Sequence, residues 1–147
     1  VPPTFGGTGL TFALAELRSH DALKKAIPSM AGFVAAQANH SIDGEIFDLF
    51  LYFIDDNGVI HTRMFAPLDG IPEDPATGSA CTALAGLLAS LAPAIDGTIH
   101  FDIRQGAEMN RPSEISVAVH KVNGVAGAPL LSGSCVEVIT GVFTLPA

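Results

Sequence analysis

The segment of this 147-residue sequence best supplied with groups that could do chemistry is Arg63-Met64-Phe65-Ala66-Pro67-Leu68-Asp69-Gly70-Ile71-Pro72-Glu73-Asp74-Pro75-Ala76-Thr77-Gly78-Ser79-Ala80. Three carboxylates, Asp69, Glu73 and Asp74, lead into a long apolar stretch that starts at Gly78. If that stretch is a helix, its first N–H groups lack acceptors and carry partial positive charge, so Gly78 and Ser79 can hold a carboxylate or phosphate. Gly78 allows a ligand close to the backbone, and Ser79 adds a hydroxyl donor. An acid beside such a site would repel an anion unless it were protonated or were the proton-transfer partner, which makes Asp74 the candidate catalytic residue. The same spacing also fits a cap, with Asp74 at the N-cap, Pro75 at the first helical position and the carboxylate satisfying backbone donors. The two readings are compatible, since one oxygen can cap while the other faces a ligand. Glu73 reads as a solvated loop acid.

Other reactive residue types are poorly arranged. His20, His40, His61, His100 and His120 are far apart with no metal-ligand spacing, so no metal is expected. Gly6-Gly7-Thr8-Gly9 lacks the Lys-Ser/Thr ending and the preceding strand of a phosphate loop and reads as a flexible lead-in. Neither Ser79 nor Ser134 has a Gly-x-Ser-x-Gly context, which argues against a serine hydrolase. Cys81 and Cys135 read as buried thiols and not as a disulfide framework, consistent with a reducing cytoplasm. With 7 Lys and Arg against 15 Asp and Glu, a formal net charge of −8, no basic cluster is available for nucleic acid. The longest apolar run, Ala80 to Ala94, is interrupted by Thr82, Ser90 and Pro93 and falls short of the roughly 20 residues of a membrane span. The chain opens on Val-Pro-Pro with no leader pattern.

The elements that must position Asp74, Gly78 and Ser79 follow from periodicity. Leu10–Leu14 alternates as a half-buried strand, Ser19–Ile27 reads as a short helix stopped by Pro28, and Ser29–Gln37 as a second. Ile46–Ile54 and Val59–Ala66 are rich in β-branched and aromatic residues, and Asp55-Asp56-Asn57-Gly58 between them supplies a hairpin turn. Thr98–Ile103, Glu114–Val122 and Cys135–Leu145 add further strands. Strands on both sides of one long apolar helix, Gly78–Leu91, predict an α+β fold: a curled, barrel-like mixed sheet wrapped around a central helix buried on all faces. The length fits one domain over residues 1–147. Only 15% of residues are charged, against about 25% in ordinary soluble domains, which points to a face covered by a partner.

The run Arg63–Ala80 with Leu84-Ala85-Gly86-Leu87-Leu88 resembles the second signature of the PhzF-like family, named for an isomerase of phenazine biosynthesis. Gln105-Gly106-Ala107-Glu108-Met109, Arg111-Pro112-Ser113-Glu114-Ile115 and the closing Gly141-Val142-Phe143-Thr144-Leu145 resemble the motifs that follow. Asn110 departs from the glycine usual there, and Asn is the next-best residue for a left-handed turn. The resemblance implies the C-terminal lobe of a two-lobed protein similar to diaminopimelate epimerase, each lobe a barrel-like sheet around a helix, with the active site between them. It implies that Asp74 is an active-site acid, that Gly78 and Ser79 hold a substrate carboxylate, and that a cofactor-independent proton shift takes place on a small carboxylate-bearing substrate. The family's proton-shuttling Glu and companion His belong to the other lobe. Glu45, in the stretch Asn39–Phe47 that faintly echoes their context, is expected to be structural. Partners implied are a complementary N-terminal lobe or a second copy of the chain. The alternatives are a non-catalytic carboxylate-binding module, or a hydrolase or lyase in which Asp74 activates water.

Overall fold

The computed structural model describes residues 2–40 and 44–146. In order these form β1 (Thr4–Gly7), β2 (Thr11–Glu16), α1 (His20–Lys24), α2 (Met30–His40), β3 (Leu49–Ile54), β4 (Ile60–Ala66), a 3-10 turn (Pro67–Asp69), β5 (Ile71–Asp74), α3 (Gly78–Leu91), β6 (Gly97–Gln105), a second 3-10 turn (Ala107–Met109), β7 (Ser113–Val122), β8 (Val125–Ala126) and β9 (Leu130–Gly133). All strands join one sheet of order β1-β2-β3-β4-β6-β7-β8, with β5 paired to β4 and β9 to β7. The β2–β3 and β4–β6 pairs are parallel and the others antiparallel, so the sheet is mixed.

Strand alternation divides the apolar residues between two faces. Phe12, Leu14, Phe50, Tyr52, Met64 and Ile103 point inward onto Ala80, Leu84 and Ala85 of α3. Leu51 and Phe65 point outward and form a second cluster with Leu23 of α1 and Phe33 of α2. Helix α3 touches β1 and β2 at one end of the sheet order and β7, β8 and β9 at the other. A sheet can reach one helix from both ends only by curling around it, which is the predicted α+β arrangement.

Several expectations need correction. Thr4–Gly7 is a strand, not a flexible lead-in: Phe5 pairs with Ala13 and Gly6 with Phe12, and the Thr8 hydroxyl lies 2.7 Å from that of Thr82 in α3. A Cβ on Gly6 would stand 2.9 Å from Leu14 Cδ1, so the glycines are there for close packing. Residues 134–146 form no strand, and the strand after β8 is Leu130–Gly133 instead. Cys135 is consequently exposed, whereas Cys81 is buried. Helix α3 has the predicted bounds and more buried residues than α1 or α2, but Gly78, Ser79, Thr82 and Gly86 are half-buried and Ser90 and Leu91 exposed, so it is not covered all round. No helix among the described residues is long and apolar enough to cross a membrane.

Candidate functional site

The acidic loop is set by β4 and β5, which pair antiparallel with a register shift between Met64 and Ala66. Arg63, in the middle of β4, is buried and fixes this pair. Its Nε and Nη2 donate to the two carboxylate oxygens of Glu73 at 2.7 and 2.8 Å. Its Nη1 donates to the carbonyls of Leu23, Lys24 and Ala26 at 3.0, 3.2 and 2.8 Å, at and just beyond the end of α1. Glu73 is therefore not a solvated acid. It is the counter-ion of a buried guanidinium, held in the bidentate geometry that only Arg supplies.

Asp74 follows on the same strand and is half-buried. Its Oδ2 accepts from the Thr77 hydroxyl at 2.7 Å, and its Oδ1 has a long contact with the Ala76 N–H at 3.5 Å. The N-cap position belongs to Thr77, not Asp74, and the Thr77 side chain makes no cap bond, since its hydroxyl is turned back to Asp74. The Thr77 N–H is taken by Gln105 Oε1 at 3.1 Å, and the helical ladder opens with Cys81 N–H to Thr77 C=O at 3.0 Å. Between them, the N–H groups of Gly78, Ser79 and Ala80 have no acceptor among the described residues. The helix start is thus an open donor site with an acid three residues upstream.

Gly78 borders an open cleft of about 700 Å³ whose other walls include Ala76, Ser113, Leu131 and Cys135. Asp74 and Ser79 lie outside those walls, so of the three candidate residues the structure brings only Gly78 to the cleft. A Cβ at Gly78 would meet Leu131 Cδ1 at 3.2 Å, which shows how closely β9 lies against the helix start. The Ser79 carbonyl accepts from the hydroxyls of Thr82 at 2.8 Å and Thr8 at 3.4 Å. One turn on, burial and then the Asp74 charge push the Cys81 thiol up to about 12, so it is inert as a nucleophile.

Sequence reasoning missed Gln105 and Gly106. Gln105 is fully buried at the end of β6, and its Nε2 donates to the Asp74 carbonyl at 2.7 Å and to Thr77 Oγ1 at 2.9 Å. Gly106 has φ +77°, and a Cβ there would stand 2.3 Å from the Arg111 carbonyl and 2.7 Å from that of Pro75, so the following turn braces the acidic loop from behind. The available signal was the Gln-Gly pair two residues beyond the strand expected over Thr98–Ile103. Asn110 ends that turn with φ 54° and ψ 29°, the left-handed conformation expected for it.

A second cluster was also invisible to spacing. His20 and His61, 41 positions apart in number, lie with ring centroids 4.4 Å apart and planes tilted by 36°, and His61 Nε2 lies 3.1 Å from Asp55 Oδ2. They line a cavity of about 320 Å³ with Lys24, Arg104 and Glu108. Burial, then the neighbouring His61 and Lys24, lowers the His20 pKa. Among the described residues no group of three or more His, Cys, Asp and Glu is arranged to hold a metal ion.

A mixed sheet curled around one helix, with an unpaired helix start beside an acid, defines a sheet-around-helix half-barrel. A crystal structure of the Bacillus anthracis phenazine biosynthesis protein, PhzF family, shares this fold, with a TM-score of 0.68 and 18% identity over 89% of this chain and 48% of that one. The chain belongs to the PhzC-PhzF family of phenazine biosynthesis-like proteins, whose sequence model matches residues 1–141. It is 35% identical over 88 residues to an uncharacterized isomerase of Mesorhizobium japonicum, and 45% identical over 78 residues to one of Deinococcus radiodurans. These matches cover 60% and 52% of this chain but only 29% and 25% of the relatives.

Proposed function

We propose that this chain is one lobe of a cofactor-independent isomerase that moves a proton on a small carboxylate-bearing substrate. The observation that carries the reading is the open start of α3, where the N–H groups of Gly78, Ser79 and Ala80 lack acceptors and Asp74 stands on the adjoining strand. The N–H groups and the Ser79 hydroxyl bind the substrate carboxylate, and the fixed donors need no reorganisation as charge develops. Asp74 keeps one oxygen on Thr77 and uses the other in proton transfer. The base that removes a proton from carbon comes from a complementary lobe or from a second copy of the chain. The two relatives, both uncharacterized isomerases, and the family membership support the reaction class.

Titration with benzoate, followed through the amide resonances of Gly78 and Ser79, tests the binding half. Ser79→Ala should weaken benzoate by roughly 2- to 10-fold, the worth of one hydrogen bond. Asp74→Asn should leave that affinity intact or improved and, in the complete two-lobed protein, lower turnover by about 10²-fold or more. A lower melting temperature with unchanged turnover would make Asp74 a brace of the loop. That outcome favours the second reading, a carboxylate-binding module without catalysis, which the Thr77–Asp74 hydrogen bond also fits.

A further inference from the structure

The geometry points to Gln105 as a positioning residue that fixes which oxygen of Asp74 is free to act, an inference that rests on the proposed role of Asp74. Gln105 is fully buried, 31 positions beyond Asp74, at the end of β6, which pairs with β4 as β5 does. Its amide orientation is determined by its partners. The Thr77 N–H can only donate, so the atom facing it must be Oε1, and the Asp74 carbonyl can only accept, so the atom facing that must be Nε2.

With the amide so placed, the second Nε2 hydrogen meets Thr77 Oγ1 at 2.9 Å. A hydroxyl has one proton, and here one lone pair is occupied by Gln105, so that proton turns toward the remaining acceptor, Asp74 Oδ2 at 2.7 Å. The chain Gln105 Nε2 to Thr77 Oγ1 to Asp74 Oδ2 therefore runs in a single direction. Oδ2 is held as an acceptor and withheld from proton transfer, while Oδ1, with only the long 3.5 Å contact to Ala76, is the oxygen available to a substrate. The same side chain turns the Thr77 N–H inward, so the unpaired donors begin at Gly78. Gln105 thus sets both features of the site, the acid's orientation and the position where anion binding starts. It touches neither substrate nor reacting atoms.

The test is the carbon-13 resonance of the Asp74 carboxyl in labelled protein, which reports hydrogen bonding to that group and not merely folding. Thr77→Val and Gln105→Met should both displace it, and Thr77→Ser, which keeps the hydroxyl, should leave it at the wild-type position. If Gln105→Met does not fold, Gln105→Glu keeps the shape and one acceptor oxygen while the carboxylate loses both donations, and the same displacement is expected. A displaced resonance in Thr77→Val with an unmoved one in the folded Gln105 variant would overturn the proposal, as would an unmoved resonance in Thr77→Val. If benzoate fails to perturb the wild-type Gly78 and Ser79 amides, the carboxylate-binding reading falls, while the Asp74 resonance still decides the role of Gln105.

Discussion

From Glu73 to Thr77 all three polar side chains are hydrogen-bonded within the chain, whereas from Val136 to Leu145 six large apolar side chains, Val136, Val138, Ile139, Val142, Phe143 and Leu145, are 76–96% exposed. The side-chain hydrogen bond in the second stretch joins Thr140 to Glu137 at 2.6 Å and ties it to nothing else. The first stretch reaches the cleft beside Gly78 through Ala76, and Ser134 and Cys135, which precede the second stretch, line the same cleft. A polar group is satisfied by a single well-placed partner, so a short loop can be completed by one Arg, one Thr and one Gln. An apolar β-rich stretch needs a whole neighbouring surface, and here the rest of the chain does not provide one. The first region is specified from within, and the second stays exposed among the described residues.

The bonded loop is broken most severely at Arg63. Arg63→Ala strands the Glu73 carboxylate, takes a donor from the Leu23, Lys24 and Ala26 carbonyls and should destabilise by about 3–5 kcal/mol, measured by urea denaturation. A loss below about 1 kcal/mol would mean that β5 holds its place without the ion pair. Asp48 gives a scale for a carboxylate that lacks what Glu73 and Asp74 have. Its Oδ1 is buried without a hydrogen-bond partner, and burial, then the Asp69 charge, raises its pKa from 3.8 to about 6. Between those values the folded chain binds more protons than the unfolded one, so stability should rise as pH falls from about 6 toward 4. Asp48→Asn should remove that dependence and stabilise at pH 8 by on the order of 1 kcal/mol, allowing for solvent screening. A flat pH profile in the wild type would show that water satisfies Oδ1. The smallest effect belongs to the bare stretch. Val142→Lys combined with Phe143→Glu should change folding stability by less than about 0.5 kcal/mol, while sedimentation shows reduced self-association. A larger stability loss would mean that the stretch packs on its own domain.

The contrast also marks what could be read from sequence. The β3–β4 hairpin, the bounds of α3 and the left-handed Asn110 were legible because a turn, a periodicity or a single backbone conformation is a local property. Glu73, Gln105 and the His20–His61 pair were not, because their meaning depends on partners 10, 28 to 31 and 41 positions away, as the numbering shows. Thr4–Gly7 was misread because glycine has low strand preference, whereas contact with Leu14 and the Thr8–Thr82 hydrogen bond outweigh that preference. Cys135–Leu145 was misread for the opposite reason: its β-branched residues suit a strand, but a strand needs an edge to pair with. Of the candidate site, the open helix start and the neighbouring acid were foreseen. The clamp that orients them was not.

The contact of α3 with both ends of the sheet has a consequence for synthesis. Strands β2, β3 and β4 leave the ribosome before α3, and the inward faces of Phe12, Phe50, Tyr52 and Met64 have nothing to close on until Leu84 and its neighbours arrive about 70 residues after β2. At translation rates of roughly 5–20 residues per second the interval is several seconds, long compared with the microseconds in which a hairpin forms. The β3–β4 hairpin, complete at Ala66, waits for only about 18 residues, roughly 1–4 s, and over that time its aromatic inward face is uncovered.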